Sequence, residues 1–337
     1  MIPVPGPVLE SLAPAYGTTT PQLSHFGGGE EYSDGVLYAY PHADTRRLLK
    51  ILAFPADNQH IGLFCLEERL RFVRFLGENQ AQIVFPKYSP GGNLYETFSF
   101  EDHLWVGYSM ELVPGKTKPE KSWDPDFFRN WGATIGKLHR LAQEYPSWKS
   151  SVDPMTGEDL LTWLGEWEGF YNWCQDEAVK SKWVEIKEEL EVLPITRDSF
   201  GFIHNDPHIW NLLEDGNRIT LLDFDVANHH WFVNDIAIAC QNILIFLSGG
   251  LNRLVWNRDK LLQFLNLFME GYRRENHLAP EWLDRLDLFI AYRRILLFIV
   301  MNNWIQSQPK LHRSWKRLIL TRPEIVGGGS VVVGGRE

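Results

Sequence analysis

The hydrophobic period of this chain changes once along its length, and that change limits the folds open to it more than any other feature. Up to about position 113, the chain reads mainly as short apolar runs broken by turn residues, the pattern of strands. Beyond it, they recur at three- and four-residue spacing, the pattern of helices. One β-like island, residues 202–226, interrupts the helical half, and an Asp215-Gly216 turn joins its two apolar runs. The expected class is α+β: an amino-terminal antiparallel sheet with one main helix, followed by a mostly helical part.

Within the first part, strands are expected at 23–26, 36–40, 46–54, 83–88 and 103–112, with a helix over 67–79. Val113-Pro114-Gly115 breaks the pattern, so a boundary falls there, giving an amino-terminal lobe of 1–113 and a carboxy-terminal lobe of 114–326. Asp124 before Pro125 reads as a helix start. Further helices are expected at 157–176, 177–192, 233–247, 260–275 and 280–304, and the glycine-rich residues 327–337 read as a flexible tail.

The composition narrows the function classes. With 33 Lys and Arg against 43 Asp and Glu, the net charge is -10, and no basic run offers clustered cations to nucleic acid phosphates. The 3 cysteines, Cys65, Cys174 and Cys240, are far apart and suggest neither a disulfide framework nor a metal site. The amino terminus lacks the basic segment of a signal peptide. Two apolar stretches, 236–251 and 286–304, are interrupted by Gln241-Asn242 and by Arg293-Arg294, so neither reads as a membrane span. A soluble, cytoplasmic protein with no membrane or nucleic-acid partner is expected; nothing in the sequence bears on oligomeric state.

The informative string is His204-Asn205-Asp206-Pro207-His208-Ile209-Trp210-Asn211, followed across the expected hairpin by Asp223-Phe224-Asp225. Protein kinases carry an Asp and Asn at this spacing in their catalytic loop and a second Asp after a short hairpin. Phosphoryl transfer asks a protein chiefly to position groups and neutralise phosphate charge. In that chemistry, one carboxylate takes the acceptor's proton, a role for Asp206. Two hard oxygen ligands hold Mg2+ against the ATP phosphates, roles for Asn211 and Asp223.

The longer pattern, HNDPHIWNLL, ITLLDFDVA and VNDIAIA, resembles the aminoglycoside phosphotransferase and choline kinase-like family of the protein-kinase-like superfamily. That resemblance implies a two-lobed kinase fold with the nucleotide held between lobes. It also implies Asp206 as catalytic base, Asn211 and Asp223 as metal ligands, and Asp235 as a brace of the catalytic loop. Asn205 stands where the family more often has Gly. Asp225 reads as a supporting group of the metal site, and His208 has no assigned role.

The same chemistry needs a strand lysine that grips the α- and β-phosphates. Lys50 lies among Leu48, Leu49, Ile51 and Leu52, where an ammonium needs a partner. Glu67 or Glu68, at the start of the expected helix, could supply that partner, and the resemblance favours Glu68. Gly28 and Gly29 fall where the family has its phosphate-covering loop, since backbone amides approach phosphate only where side chains are absent. The resemblance further places Met110 behind the adenine and the backbone of Glu111 and Val113 at its edge.

The expected activity is transfer of the ATP γ-phosphate to a hydroxyl of a small molecule, aminoglycoside-, choline-, homoserine- or sugar-like. The alternatives are a protein Ser/Thr kinase of the same superfamily, a nucleotide-binding pseudokinase, and a metal-dependent hydrolase using His204, Asp206, His208, His229 and His230. Trp163, Glu166, Trp167, Tyr171, Trp173, Tyr292 and Trp304 lie in the helices where the family reads its acceptor, but they do not identify it.

Overall fold

A computed structural model describes residues 3–29, 35–247 and 258–327. Residues 328–337 of the expected tail and part of the glycine loop lie outside the described residues. The chain divides into two compact units: Met1–Gly115 with Asp153–Leu160 and Leu222–Asp225, and the remainder. It is α+β, with an antiparallel sheet near the amino terminus and helices through most of the second unit.

The first unit opens with helix α1 (Gly6–Ala15). Its sheet contains β1 (Ser24–Gly28), β2 (Val36–His42) and β3 (Thr45–Pro55), then, after helix α2 (Gln59–Glu78), β4 (Pro86–Lys87), β5 (Glu96–Phe100) and β6 (His103–Glu111). The strand order is β1-β2-β3-β6-β4, with β5 also pairing β6. Alternation along β3 divides its side chains between two cores. Leu49 and Ile51 pack with Val8, Leu12 and Tyr16 of α1 and with Tyr40 and Trp105. Leu52 packs on the other face, with Leu66 and Leu70 of α2 and with Val106 and Tyr108 of β6. Each such buried aliphatic side chain contributes about 1.5–3 kcal/mol. Lys50 shares the parity of Leu52, so the period of 2 sets it on the α2 face.

The second unit begins its helices with α3 (Pro125–Glu144), where Asp124 caps the start by accepting from Phe127 N–H at 2.8 Å. Then come α4 (Trp163–Trp173) and α5 (Glu177–Glu191), followed by the strands β7 (Phe200–Ile203), β8 (Leu212–Asp215), β9 (Arg218–Leu221) and β10 (Asn228–Trp231). The strands form two antiparallel pairs, β10 with β7 and β8 with β9. The chain continues through α6 (Phe232–Leu247), α7 (Arg258–Tyr272), α8 (Pro280–Leu283), α9 (Leu286–Val300), α10 (Asn302–Gln306) and α11 (Pro309–Thr321). Helices α3 and α7 meet at reciprocal glycines. A Cβ on Gly132 would lie 1.8 Å from Phe268 O, and one on Gly271 would lie 1.8 Å from Arg129 O.

Several elements differ from the sequence expectation. Helix α2 begins at Gln59 rather than at 67, so Glu67 and Glu68 lie mid-helix. The expected strand at 83–88 shrinks to Pro86–Lys87, and β5, β10, α1 and α11 are additional to the expected elements. The expected helix over 157–176 contracts to Trp163–Trp173, because residues 153–160 belong to the first unit. There, Asp153 is fully buried and accepts from Met155 N–H at 3.1 Å and Thr156 Oγ1 at 3.0 Å, with His60 Nε2 at 2.8 Å. The expected helix over 280–304 is divided among α8, α9 and α10. All three cysteines are free thiols. Among the described residues, no helix is long and apolar enough to cross a membrane.

Candidate active site

The first unit gathers a cation and two acids. Lys50 is buried in β3, opposite Tyr108 of β6. Its Nζ donates to Asp225 Oδ2 and stands 3.6 Å from Asp223 Oδ1. Burial pulls the lysine pKa down, but the Tyr108 oxygen, Asp225 and Asp223 overrule it and hold the ammonium well above its ordinary range. Burial pushes the Asp225 carboxyl up; Lys50 pulls it down, and neighbouring Asp223 adds to the rise. Asp223 is half exposed and sits in the left-handed region at φ 60, a conformation that an aspartate tolerates at some cost.

Neither candidate glutamate reaches Lys50. Glu67 accepts from Tyr95 OH at 2.8 Å and pairs with Arg71, and Glu68 lies 3.8 Å from Arg71. The aspartates of the Asp223-Phe224-Asp225 turn hold the lysine instead.

Glycine is required at the end of β1 and just ahead of β2. Gly28 has φ 76, and a Cβ there would lie 2.2 Å from Gly35 O. A Cβ on Gly35 would lie 2.8 Å from Ile51 O and 3.3 Å from Lys50 Cε. Gly29, at φ 83, donates its N–H to Gly35 O at 3.1 Å. Met110 and Glu111 end β6, Met110 paired with Leu48 and Pro86 and Glu111 with Arg47, and Val113 follows Leu112, whose N–H donates to Arg46 O.

The second unit holds the loop between β7 and β8. Asp235 of α6, fully buried, accepts the N–H of His204 at 3.1 Å and of Asn205 at 2.8 Å. His139 of α3 adds a contact from Nε2 to Asp235 Oδ2 at 3.1 Å. Asp235 therefore ties the start of the loop to two helices. Asn205 takes φ 66, which explains why glycine is common in the family here and why asparagine can replace it.

The Asn205 side chain is also engaged. Its Nδ2 donates to Glu166 of α4 and to Val226 O at 3.1 Å, and its Oδ1 accepts from Asn234 at 2.9 Å. Glu166 in turn accepts from Tyr292 OH at 2.7 Å and from Asn228 Nδ2 at 3.2 Å.

Both carboxylate oxygens of Asp206 have a partner. Arg293 of α9 donates to Oδ1, and His208 Nε2 lies 3.3 Å from Oδ2. Burial would raise the Asp206 pKa; Arg293 first, then His208 and His204, hold its carboxyl well below the usual carboxylate range. Asn211 donates its amide nitrogen to Asp206 O at 3.0 Å, leaving the amide oxygen for a ligand. Trp210, between the two, is 57% exposed and packs against Phe246.

Asn205 and Arg293 are not singled out as site residues by sequence, and Glu166 is named there only among the residues of the acceptor-reading helices. Only Arg293 leaves a signal: two adjacent arginines inside an apolar run need partners, and here one partner is Asp206. Of the histidines of the hydrolase alternative, His229 is committed to backbone carbonyls and His208 stands beside the Asp206 carboxylate. His229 sets its two ring nitrogens 2.7 Å from Leu161 O and 2.8 Å from Ser147 O. Among the described residues, no group of three or more His, Cys, Asp and Glu is arranged to hold a metal ion.

The architecture is shared with enzymes of the two-lobed, kinase-like class. An amicoumacin kinase solved with AMP-PNP and Ca2+ superposes with a TM-score of 0.77 at 21% identity, covering 92% of this chain and 91% of that one. A microcompartment-associated aminopropanol kinase gives a TM-score of 0.62 at 19% identity, covering 88% and 90%. Residues 66–273 match the phosphotransferase enzyme family (APH), and the chain belongs to that family. An amicoumacin kinase of Bacillus subtilis (strain 168) is 29% identical over 208 residues, 57% of this chain. The chain aligns with 55% of the length of that curated relative.

Proposed function

We propose that this protein is a small-molecule kinase that moves the γ-phosphate of Mg-ATP to an acceptor hydroxyl, with Asp206 as the base. The observation that carries the reading is the braced catalytic loop: Asp235 fixes the backbone ahead of Asp206, and Asn211 is tied to Asp206 O.

The residues fit a nucleotide and its divalent cation. Asp223 and Asp225 set two carboxylates against the single ammonium of Lys50, leaving negative charge that a cation would offset. Asp223 and the free amide oxygen of Asn211 are hard oxygen donors of the kind Mg2+ takes. Bound Mg2+ would neutralise charge on the transferring phosphoryl group. Lys50 would grip the α- and β-phosphates, with the backbone of Gly28 and Gly29 close to phosphate. Glu68 would support Lys50 only through a rearrangement of the α2 face. Met110 would back the adenine, with Glu111 and Val113 meeting its edge.

Asp206 orients the acceptor hydroxyl and accepts its proton as the acceptor oxygen bonds to phosphorus. The bond from phosphorus to ADP breaks in the same step, and ADP keeps that electron pair. A carboxylate held at low pKa is a weak base, which suits a loose transition state in which orientation outweighs early proton removal.

A protein-kinase activity is the weaker reading. The residues after Asp225 enter β10 and then α6, so they supply no activation segment. For the acceptor, the named substrates of similar proteins set the panel: amicoumacin, an aminopropanol, choline and spectinomycin. Mg-ATP consumption should rise with at least one of these, and phosphorylated product should be seen by mass spectrometry. Consumption with none of them, together with phosphorylation of a protein substrate, would favour the other reading.

A further inference from the structure

Two consecutive residues of α9 address two consecutive residues of the catalytic loop. Tyr292 reaches Asn205 through Glu166, and Arg293 reaches Asp206 directly. We infer that Arg293 is a positioning residue that fixes the Asp206 carboxylate in the one orientation an acceptor hydroxyl meets, and so keeps water from taking the acceptor's place. This role rests on the kinase activity proposed for the site.

The geometry carries it in three steps. A carboxylate on a single bond turns freely unless both oxygens are held, and here Arg293 holds Oδ1 while His208 stands at Oδ2. Each oxygen keeps a second lone pair, so an acceptor hydroxyl can be received without displacing either partner. Arg293 is itself fixed: its side chain is only 12% exposed, and neighbouring Tyr292 is buried and anchored on Glu166. A guanidinium held this way constrains direction more than a lysine would, because its donors form a rigid fork.

Without Arg293, the carboxylate can swing to any nearby water. Hydrolysis then follows the same balance as transfer: a water oxygen bonds to phosphorus, the bond to ADP breaks with its electrons going to ADP, and the water proton passes through Asp206 to solvent. The position of Arg293 therefore governs the ratio of productive transfer to wasted nucleotide.

The test compares full-length wild type with Arg293→Gln and Arg293→Lys. Phosphate release from Mg-ATP is followed without acceptor and then with amicoumacin as the acceptor probe. Hydrogen exchange of residues 206–211 is measured in the nucleotide-free protein. In Arg293→Gln, acceptor-free hydrolysis should rise about fivefold or more and transfer should fall about tenfold or more in kcat, with the KM for ATP little changed. The loop amides should exchange faster, and Arg293→Lys should recover part of the coupling. A folded Arg293→Gln that hydrolyses ATP no faster than wild type, or whose loop exchanges at the wild-type rate, overturns the inference. If Arg293→Gln does not fold, Arg293→Lys decides alone: a ratio of hydrolysis to transfer equal to wild type overturns it, and a raised ratio supports it. Failure of the kinase reading would look different, because wild type itself would then consume no ATP with or without acceptor.

Discussion

Lys50 Nζ lies 3.6 Å from Asp223 and donates to Asp225, so the strand lysine of the first unit is held by the turn that follows the β8-β9 hairpin rather than by a glutamate of α2. A buried cation with two carboxylates is stable only as a set. Removing one member leaves uncompensated charge, which costs about 3–5 kcal/mol. Lys50→Met should therefore lower the urea midpoint and weaken Mg-ATP binding. Adding Asp225→Asn should restore much of the stability and none of the affinity. If Lys50→Met is as stable as wild type, the ion cluster is not buried in solution.

The meeting of α3 and α7 depends on having no side chain at two positions. Gly271→Ala would set a Cβ 1.8 Å from Arg129 O, a backbone atom that cannot step aside. The helices must then separate, at a cost on the order of 1–3 kcal/mol. Thermal unfolding should show a lower Tm for Gly271→Ala, while Gly169→Ala, whose Cβ meets nothing within 4 Å, should be neutral or slightly stabilising. Equal Tm values would contradict the close crossing.

Acid should weaken the fold through its buried histidines. Burial lowers the His230 pKa from 6.5 to about 3 and lowers His139 in the same direction, although Asp235 opposes the second shift. The unfolded chain takes up protons near its ordinary histidine pKa, while the folded state does so only at lower pH. Between those limits, the unfolded state binds more protons, so stability is lost as pH falls below about 6.5. Between about pH 6.5 and pH 5, His230 alone accounts for about 2 kcal/mol. Denaturant titrations of wild type and His230→Phe should show a shallower pH dependence in the variant; identical slopes would refute the assignment.

The sequence exposes whatever is local. Strands β2 and β3 are apolar runs bounded by turn residues and long enough to be read directly, and Asp124 with Pro125 marks the start of α3 by an ordinary cap. The spacing of Asp206, Asn211 and Asp223 is likewise local. Helix α1 is masked because Pro5, Pro7 and Pro14 look like breakers, yet two of them stand at the helix start, where proline is tolerated. Helix α2 begins with Gln59, His60, Ile61 and Gly62, which carry no acidic or proline signal. Pairing across the chain is the part that stays hidden. Lys50 and Asp225 are 175 residues apart, and Asp206 and Arg293 are 87 apart, so no spacing rule connects them. A buried charge announces that it needs a partner, not which one.

The proposed mechanism depends on Asp206 as the group that receives the acceptor proton. Asp206→Asn keeps the shape and can still accept from Arg293, but it cannot take a proton, so turnover should fall about 10²–10⁴-fold. Isothermal titration with Mg-ATP and a transfer assay on the same preparation give the most direct measurement. Near-wild-type nucleotide affinity with transfer reduced to that degree is the expected result. Transfer within a few-fold of wild type would contradict the role given to Asp206.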